Sequence, residues 1–371
     1  MINHLLIPSK FEDFDEAWMN AALAAHLVDV NITKVMAEPF PHPGQTADIV
    51  AIHVEYSSST PLPSKFIAKI AATDQSTMNN VVKPLDLYYK EYSFYHEAIE
   101  GINYPSCYYS AFDSDSQALV LLFEDISHLD SPSWNPSLQQ VETAVGKLAL
   151  FHARWWNDAS LKAKPWLTAQ SDPALMGMYV DLAYAAIPTV DDLMDEDCSY
   201  LNEIVRTFVE NKTAALNYIN SRPYTFVHGD YHPKQMFFGK PGSTEDFVMI
   251  DWQLPLRGPG ANDLARIVVL GMDTETRRKQ EPRLMRKYLK LLSENGVNDY
   301  QMEDLLEDYR IGIFTSVAIH YLAAVTDIQR FIDEVTCLGL DWQEMANYRL
   351  KRALQDHDGH ELMAVWRNWQ S

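Results

Sequence analysis

Thr225 to Phe238 reads TFVHGDYHPKQMFF, and Asp251 closes the run Val248-Met249-Ile250-Asp251, 21 positions after Asp230. Each aspartate follows an apolar, strand-like stretch, so its carboxylate sits at the end of a fixed backbone. Gln235 stands five positions after Asp230. This combination suits phosphoryl transfer: one carboxylate orients an attacking hydroxyl, and a carboxylate with an amide oxygen holds magnesium. The apolar strand ending in Asp251 is expected to form a hairpin with the Asp230 loop.

Three further pieces fit that chemistry. Lys69 lies inside the apolar strand FIAKI, and burying an unpaired ammonium is costly. Nucleotide phosphates and a helix glutamate would pair it, and Glu91 in YYKEYSFYHEAIE is the candidate. Gly44, Gln45 and Thr46 lie in HPGQTAD, a turn by composition that could cover phosphates with its backbone. The buried run Leu121-Leu122-Phe123 stops at Glu124-Asp125-Ile126, where backbone groups of Glu124 and Ile126 could bond an adenine. Asp263, at the start of a helix, reads as a cap or a brace for the Asp230 loop.

The elements that must position these residues fall into two regions. β-Branched Ile49 to Tyr56 and the stretch Phe66 to Ile70 read as strands. Ala118 to Phe123 reads as a fully buried strand, and Leu85 to Glu100 as a helix. Beyond Glu124 to Asp130 the pattern turns helical. Asn135-Pro136 looks like a helix start, with the helix running to Trp156. Further helices are expected over 200–219, 261–271, 281–295, 302–324 and 341–356. Trp155, Trp156 and Trp166 read as core, and the acidic stretch Asp191 to Asp197 as a solvated loop.

The chain has 371 residues, 47% of them hydrophobic and 22% charged. That is ordinary for a globular protein and long enough for two cores. Its formal charge of −21 argues against nucleic acid and anionic membrane as partners. No apolar run reaches the ~20 residues of a membrane span. The first residues lack the pattern of a signal peptide. Cys107, Cys198 and Cys337 are far apart, without metal-type spacing, as in reduced thiols. A cytoplasmic location is expected.

The order loop glycine, strand lysine, helix glutamate, hinge, aspartate loop and second aspartate resembles the eukaryotic-like kinase fold. HGDYHPKQ with IDWQ and the following GANDLA resembles the aminoglycoside phosphotransferase and choline kinase superfamily. LLFEDIS and KEYSFY look most like its ecdysteroid kinase-like branch, over about residues 30 to 330. The resemblance implies an α+β, bilobal protein-kinase-like fold. Residues 1–126 would form a small nucleotide-binding lobe, a five-stranded antiparallel sheet plus helices. Residues 127–371 would form a large helical lobe with the catalytic loop and the acceptor site.

It implies Asp230 as catalytic base and Asp251 with Gln235 as Mg2+ ligands. Lys69 and Glu91 would be the phosphate-binding pair, with Gly44, Gln45, Thr46, Glu124 and Ile126 around ATP. The implied reaction moves the γ-phosphate of ATP to a hydroxyl of a small molecule: an antibiotic, steroid, amino alcohol or other natural product. A monomer or weak homodimer is expected. The family pattern has asparagine where this chain has Gln235. Two other readings compete: a nucleotide-binding degenerate kinase with a regulatory role, and a metal-dependent hydrolase using His228, Asp230, His232 and Asp251.

Overall fold

A computed structural model describes residues 5–40, 44, 46–325 and 328–369. The chain is α+β and divides into two compact units, 1–130 with 248–254, and 131–247 with 255–371. The segment 248–254, which the sequence reading groups with the helical region, thus belongs with the first unit.

The first unit is built on five antiparallel strands: β1 (Ile32–Pro39), β2 (Ala47–Tyr56), β3 (Lys65–Ala71), β4 (Cys107–Asp113) and β5 (Ala118–Glu124). Their order is β1-β2-β3-β5-β4, which puts β3 in the centre. Side chains alternate between faces along a strand. Phe66, Ala68 and Ile70 therefore share one face, packed with Val50, Ile52, Val54, Val120, Leu122, Trp18 and Leu23 into an apolar core. Lys69 is out of phase with them, so it leaves the other face of the sheet. Its register partners are Ile49 on β2 and Leu121 on β5.

The helix that meets Lys69 runs Leu87–His96, shorter than the expected 85–100. It starts late because Asp86 has φ 53, a left-handed conformation that separates it from the turn Lys83–Leu85. Glu91 and Phe94 are both buried on this helix.

The second unit is mainly helical. The helix expected from Asn135-Pro136 spans Leu138–Arg154, and its cap is Ser137. Ser137 Oγ accepts from Gln140 N–H, and the Gln140 side chain bonds back to Ser137, a capping box. The helix expected over 200–219 is two helices, Ser199–Glu210 and Lys212–Ser221, parted at Asn211. Helices Met178–Leu193, Ile328–Cys337 and Gly359–Asn368 were not foreseen. Trp155 and Trp166 pack on Phe226, so these tryptophans are core. The acidic stretch is tied down: Lys351 and Arg352 pair with Glu196, and Asn202 donates to Asp191. Among the described residues no single helix is long and apolar enough to cross a membrane.

Two helices carry the centre of this unit, Ala261–Leu270 and Met302–Ala324. Gly312 lets them approach. A Cβ there would lie 2.7 Å from the Ala261 carbonyl oxygen and 2.8 Å from Asn262 Cα, both backbone atoms. Helix propensity alone would make Gly312→Ala stabilising by about 1 kcal/mol. The close approach predicts the opposite sign, a loss of roughly 1–3 kcal/mol by overpacking. Thermal or urea unfolding decides between them; a higher melting temperature would contradict this packing.

Candidate active site

In the first unit, Lys69 holds two carboxylates. Its Nζ lies 2.7 Å from Glu91 Oε2 and 2.9 Å from Asp251 Oδ1, and all three side chains are largely buried. Burial opposes the charge on Lys69, but Asp251 and Glu91 outweigh it and raise its pKa. Burial pushes Glu91 up, Lys69 pulls it down and Asp251 adds to the rise, leaving it at about 7. One ammonium between two acids leaves a surplus negative charge when both are ionised. A divalent cation beside Asp251 would offset that surplus.

Asp251 itself has φ 66, an uncommon conformation for a residue with a side chain. Its neighbours hold it there. Trp252 is fully buried and stacks on Phe94, with ring centroids 4.0 Å apart and planes 6° from parallel. Phe94 and Glu91 share one helix, so the same element sets the glutamate and anchors the aspartate. Gln253 Nε2 donates to Asp251 Oδ2 at 3.2 Å.

Gln253 also reaches the expected phosphate loop. Its Oε1 accepts from Thr46 Oγ1 at 2.7 Å. The Thr46 carbonyl accepts from Tyr88 Oη at 2.5 Å, and that hydroxyl accepts from Ala72 N–H. Gly44 fits because a Cβ there would meet the Ala47 carbonyl oxygen at 2.7 Å. Gln45 lies outside the described residues. At the expected hinge, Glu124 N–H donates to the Ser106 carbonyl. Ile126 is buried, and its carbonyl accepts from Leu129 N–H.

In the second unit, Asp230 follows the short strand Thr225–Val227, which pairs with Leu256–Gly258. Asp263 braces the loop: its carboxylate accepts from His228 N–H at 2.7 Å and Gly229 N–H at 3.0 Å. His152 Nε2 stands 3.5 Å from Asp263, and its Nδ1 is 2.7 Å from Tyr288 Oη. Gly260 leaves room for that pair, since a Cβ there would lie within 2.7 Å of both.

Asp230 has a partner, Arg266, that its local sequence does not announce. Arg266 donates to Asp230 Oδ1 from Nε at 2.9 Å and Nη2 at 2.5 Å. Oδ2 faces His232 Nε2 at 3.2 Å, and His232 stacks on Trp134. Burial opposes ionisation of Asp230, but His232 and Arg266 outweigh it and hold the carboxyl well below its usual range. His320, close enough to feel Arg266, is pushed down to about 3, mainly by burial, and stays neutral. Asp263 and Arg266 are three residues apart on one helix, so they share a face. That spacing was the available signal for Arg266.

Gln235 ends the turn Pro233–Gln235 and is half-buried. Among the described residues no three His, Cys, Asp or Glu side chains gather as a metal site. His228, His232 and Asp230 do not alternate on a strand, because the strand ends at Val227; His228 Nδ1 instead accepts from Asp230 N–H. A hard cation at Asp251 would draw most of its ligands from phosphate oxygens and water, which is how magnesium binds with nucleotides.

The central antiparallel sheet with its buried lysine–glutamate pair, and the helical unit with its braced aspartate loop, make this a protein-kinase-like fold. Residues 45–297 match the sequence profile of the ecdysteroid kinase-like family, and the chain belongs to that family. No curated protein sequence matches it. Solved structures share the fold at low identity. A variant of aminoglycoside 2'-phosphotransferase IIIa, solved with GDP, is 13% identical with a TM-score of 0.50, covering 95% of this chain and 100% of its own. Amicoumacin kinase with AMP-PNP, Ca2+ and its ligand is 13% identical with a TM-score of 0.50, covering 84% and 88%. The choline kinase LicA from Streptococcus pneumoniae is 14% identical with a TM-score of 0.49, covering 92% and 98%.

The buried Glu91 gives a pH test. Its pKa is near 4.5 in the unfolded chain and about 7 in the fold. The fold thus binds the extra proton between these values, and stability falls as pH rises through them. Glu91→Gln cannot titrate, so relative to wild type its melting temperature should improve from pH 5 to pH 8. A relative loss over that range would mean that the bond to Lys69 outweighs burial.

Proposed function

We propose that this protein is an ATP-dependent kinase that transfers the γ-phosphoryl group to a hydroxyl of a small molecule. The observation that carries this is Lys69, buried and shared between Glu91 and Asp251. A stability role explains it poorly, because buried ion pairs contribute little net stability. Binding of nucleotide phosphate together with magnesium explains both: the anion would pair with the lysine, and the cation would offset the surplus acid. Family membership and the nucleotides in the related solved structures support the same reading.

In this reading the first unit handles the nucleotide. Lys69 binds phosphate oxygens, oriented by Glu91, while the backbone from Gly44 to Thr46 covers them. Asp251, with Gln235, holds magnesium, which supplies charge neutralisation on the phosphoryl oxygens. Asp230 orients the acceptor hydroxyl and takes its proton as the new O–P bond forms and the bond to ADP breaks. Its depressed pKa suits orientation with late proton transfer more than early deprotonation. The second unit supplies the acceptor surface.

MgATP should raise the melting temperature of wild type and of Asp230→Asn alike. Asp230→Asn should nevertheless cut turnover roughly a hundredfold or more, the usual scale for a positioned acid or base. Full activity in Asp230→Asn would remove the base assignment. Gln235→Asn should keep or improve turnover if the amide touches metal; complete loss would assign Gln235 a structural role.

A further inference from the structure

Arg266 is a poor residue for stability. Its guanidinium is almost completely buried, and among the described residues Nη1 has no hydrogen-bond partner. A buried donor left unmatched costs stability, and so does moving the ion pair out of water. The clamp is also asymmetric. Both bonded nitrogens converge on Oδ1 of Asp230, although an arginine fork can take two carboxylate oxygens at once. Among the described residues, Oδ2 faces His232 Nε2, at 3.2 Å. The helix that holds Arg266 also holds Asp263, which fixes the loop backbone at His228 and Gly229. One helix face thus fixes the backbone and the side-chain torsion of the same loop.

We propose that Arg266 is a positioning residue for phosphoryl transfer: it locks Oδ1 of Asp230 so that Oδ2 alone meets the acceptor hydroxyl. The proposal rests on Asp230 being the base. It assigns Arg266 an effect on the chemical step through Asp230, with no contact to ATP. A lysine would keep the charge but places one point donor where the arginine places two. The double variant with Asp230→Asn should be non-additive, because two residues acting as a unit lose their joint effect once.

The test is steady-state ADP release from MgATP by the full chain, with water as acceptor, alongside thermal melting. Arg266→Ala should lower kcat at least thirtyfold with KM for ATP within about twofold, and millimolar guanidinium should restore part of the rate. Arg266→Lys, which keeps a cation beside Asp230, should fold and still lose at least tenfold in kcat. Arg266→Ala with Asp230→Asn should be no slower than Asp230→Asn alone. If Arg266→Ala does not fold, the lysine variant decides. A slow Asp230→Asn enzyme with either folded Arg266 variant within threefold of wild type would overturn the positioning role alone. Multiplying losses in the double variant would overturn it too. An Asp230→Asn enzyme at the wild-type rate would overturn the base assignment and the proposal with it.

Discussion

An ammonium inside a protein must be compensated, and the first unit is arranged around that requirement at Lys69. The strand alternation that buries Phe66, Ala68 and Ile70 sends Lys69 to the opposite face. The helix Leu87–His96 meets it there with Glu91, and 248–254 returns to the sheet unit to supply Asp251. Each neighbour then has a second task. Phe94 seats Trp252, and Gln253 ties Asp251 to Thr46. Disturbing the lysine would leave two buried acids facing each other without a cation, which is why loop, helix and strand are coupled through one nitrogen.

The second unit answers a different constraint. On the proposed function, the Asp230 carboxylate must be held still and yet left able to meet an acceptor hydroxyl. Asp263 takes the loop's backbone N–H groups, so Asp230 keeps its own carboxylate for other partners. Arg266 then occupies one oxygen of that carboxylate only. Tyr288, His152 and Gly260 form the layer beneath, where the missing Cβ of Gly260 is what lets the ring and the hydroxyl meet.

Much of this was legible in the sequence because burial of charge is conspicuous there. Lys69 stood out inside an apolar strand, and Asp230 and Asp251 stood out at strand ends. Glu91 followed from helical reach, and the bracing part of Asp263 from its place at a helix start. Local chemistry was misread where two signals competed. Asn135-Pro136 resembled a helix start, but Ser137 with Gln140 three positions on makes reciprocal bonds and wins. The 200–219 helix looked continuous because Asn211 is a mild breaker whose side chain bonds back to the Thr207 carbonyl. Gln253 was hidden for another reason: its role exists only through a contact 207 positions away in the chain, which no local pattern encodes. Arg266 bonds a residue 36 positions away, and only its spacing from Asp263 hinted at it. The return of 248–254 to the first unit is likewise a tertiary fact.

The proposed function requires that a phosphoryl group move. Incubating the full chain with MgATP and a panel of hydroxylated small molecules, then following each compound by mass spectrometry, measures this directly. At least one compound should gain a single phosphoryl group with stoichiometric release of ADP. Tight MgATP binding with no phosphorylated product across hydroxylated antibiotics, steroids, amino alcohols and sugars would contradict it and mark the protein as a nucleotide binder.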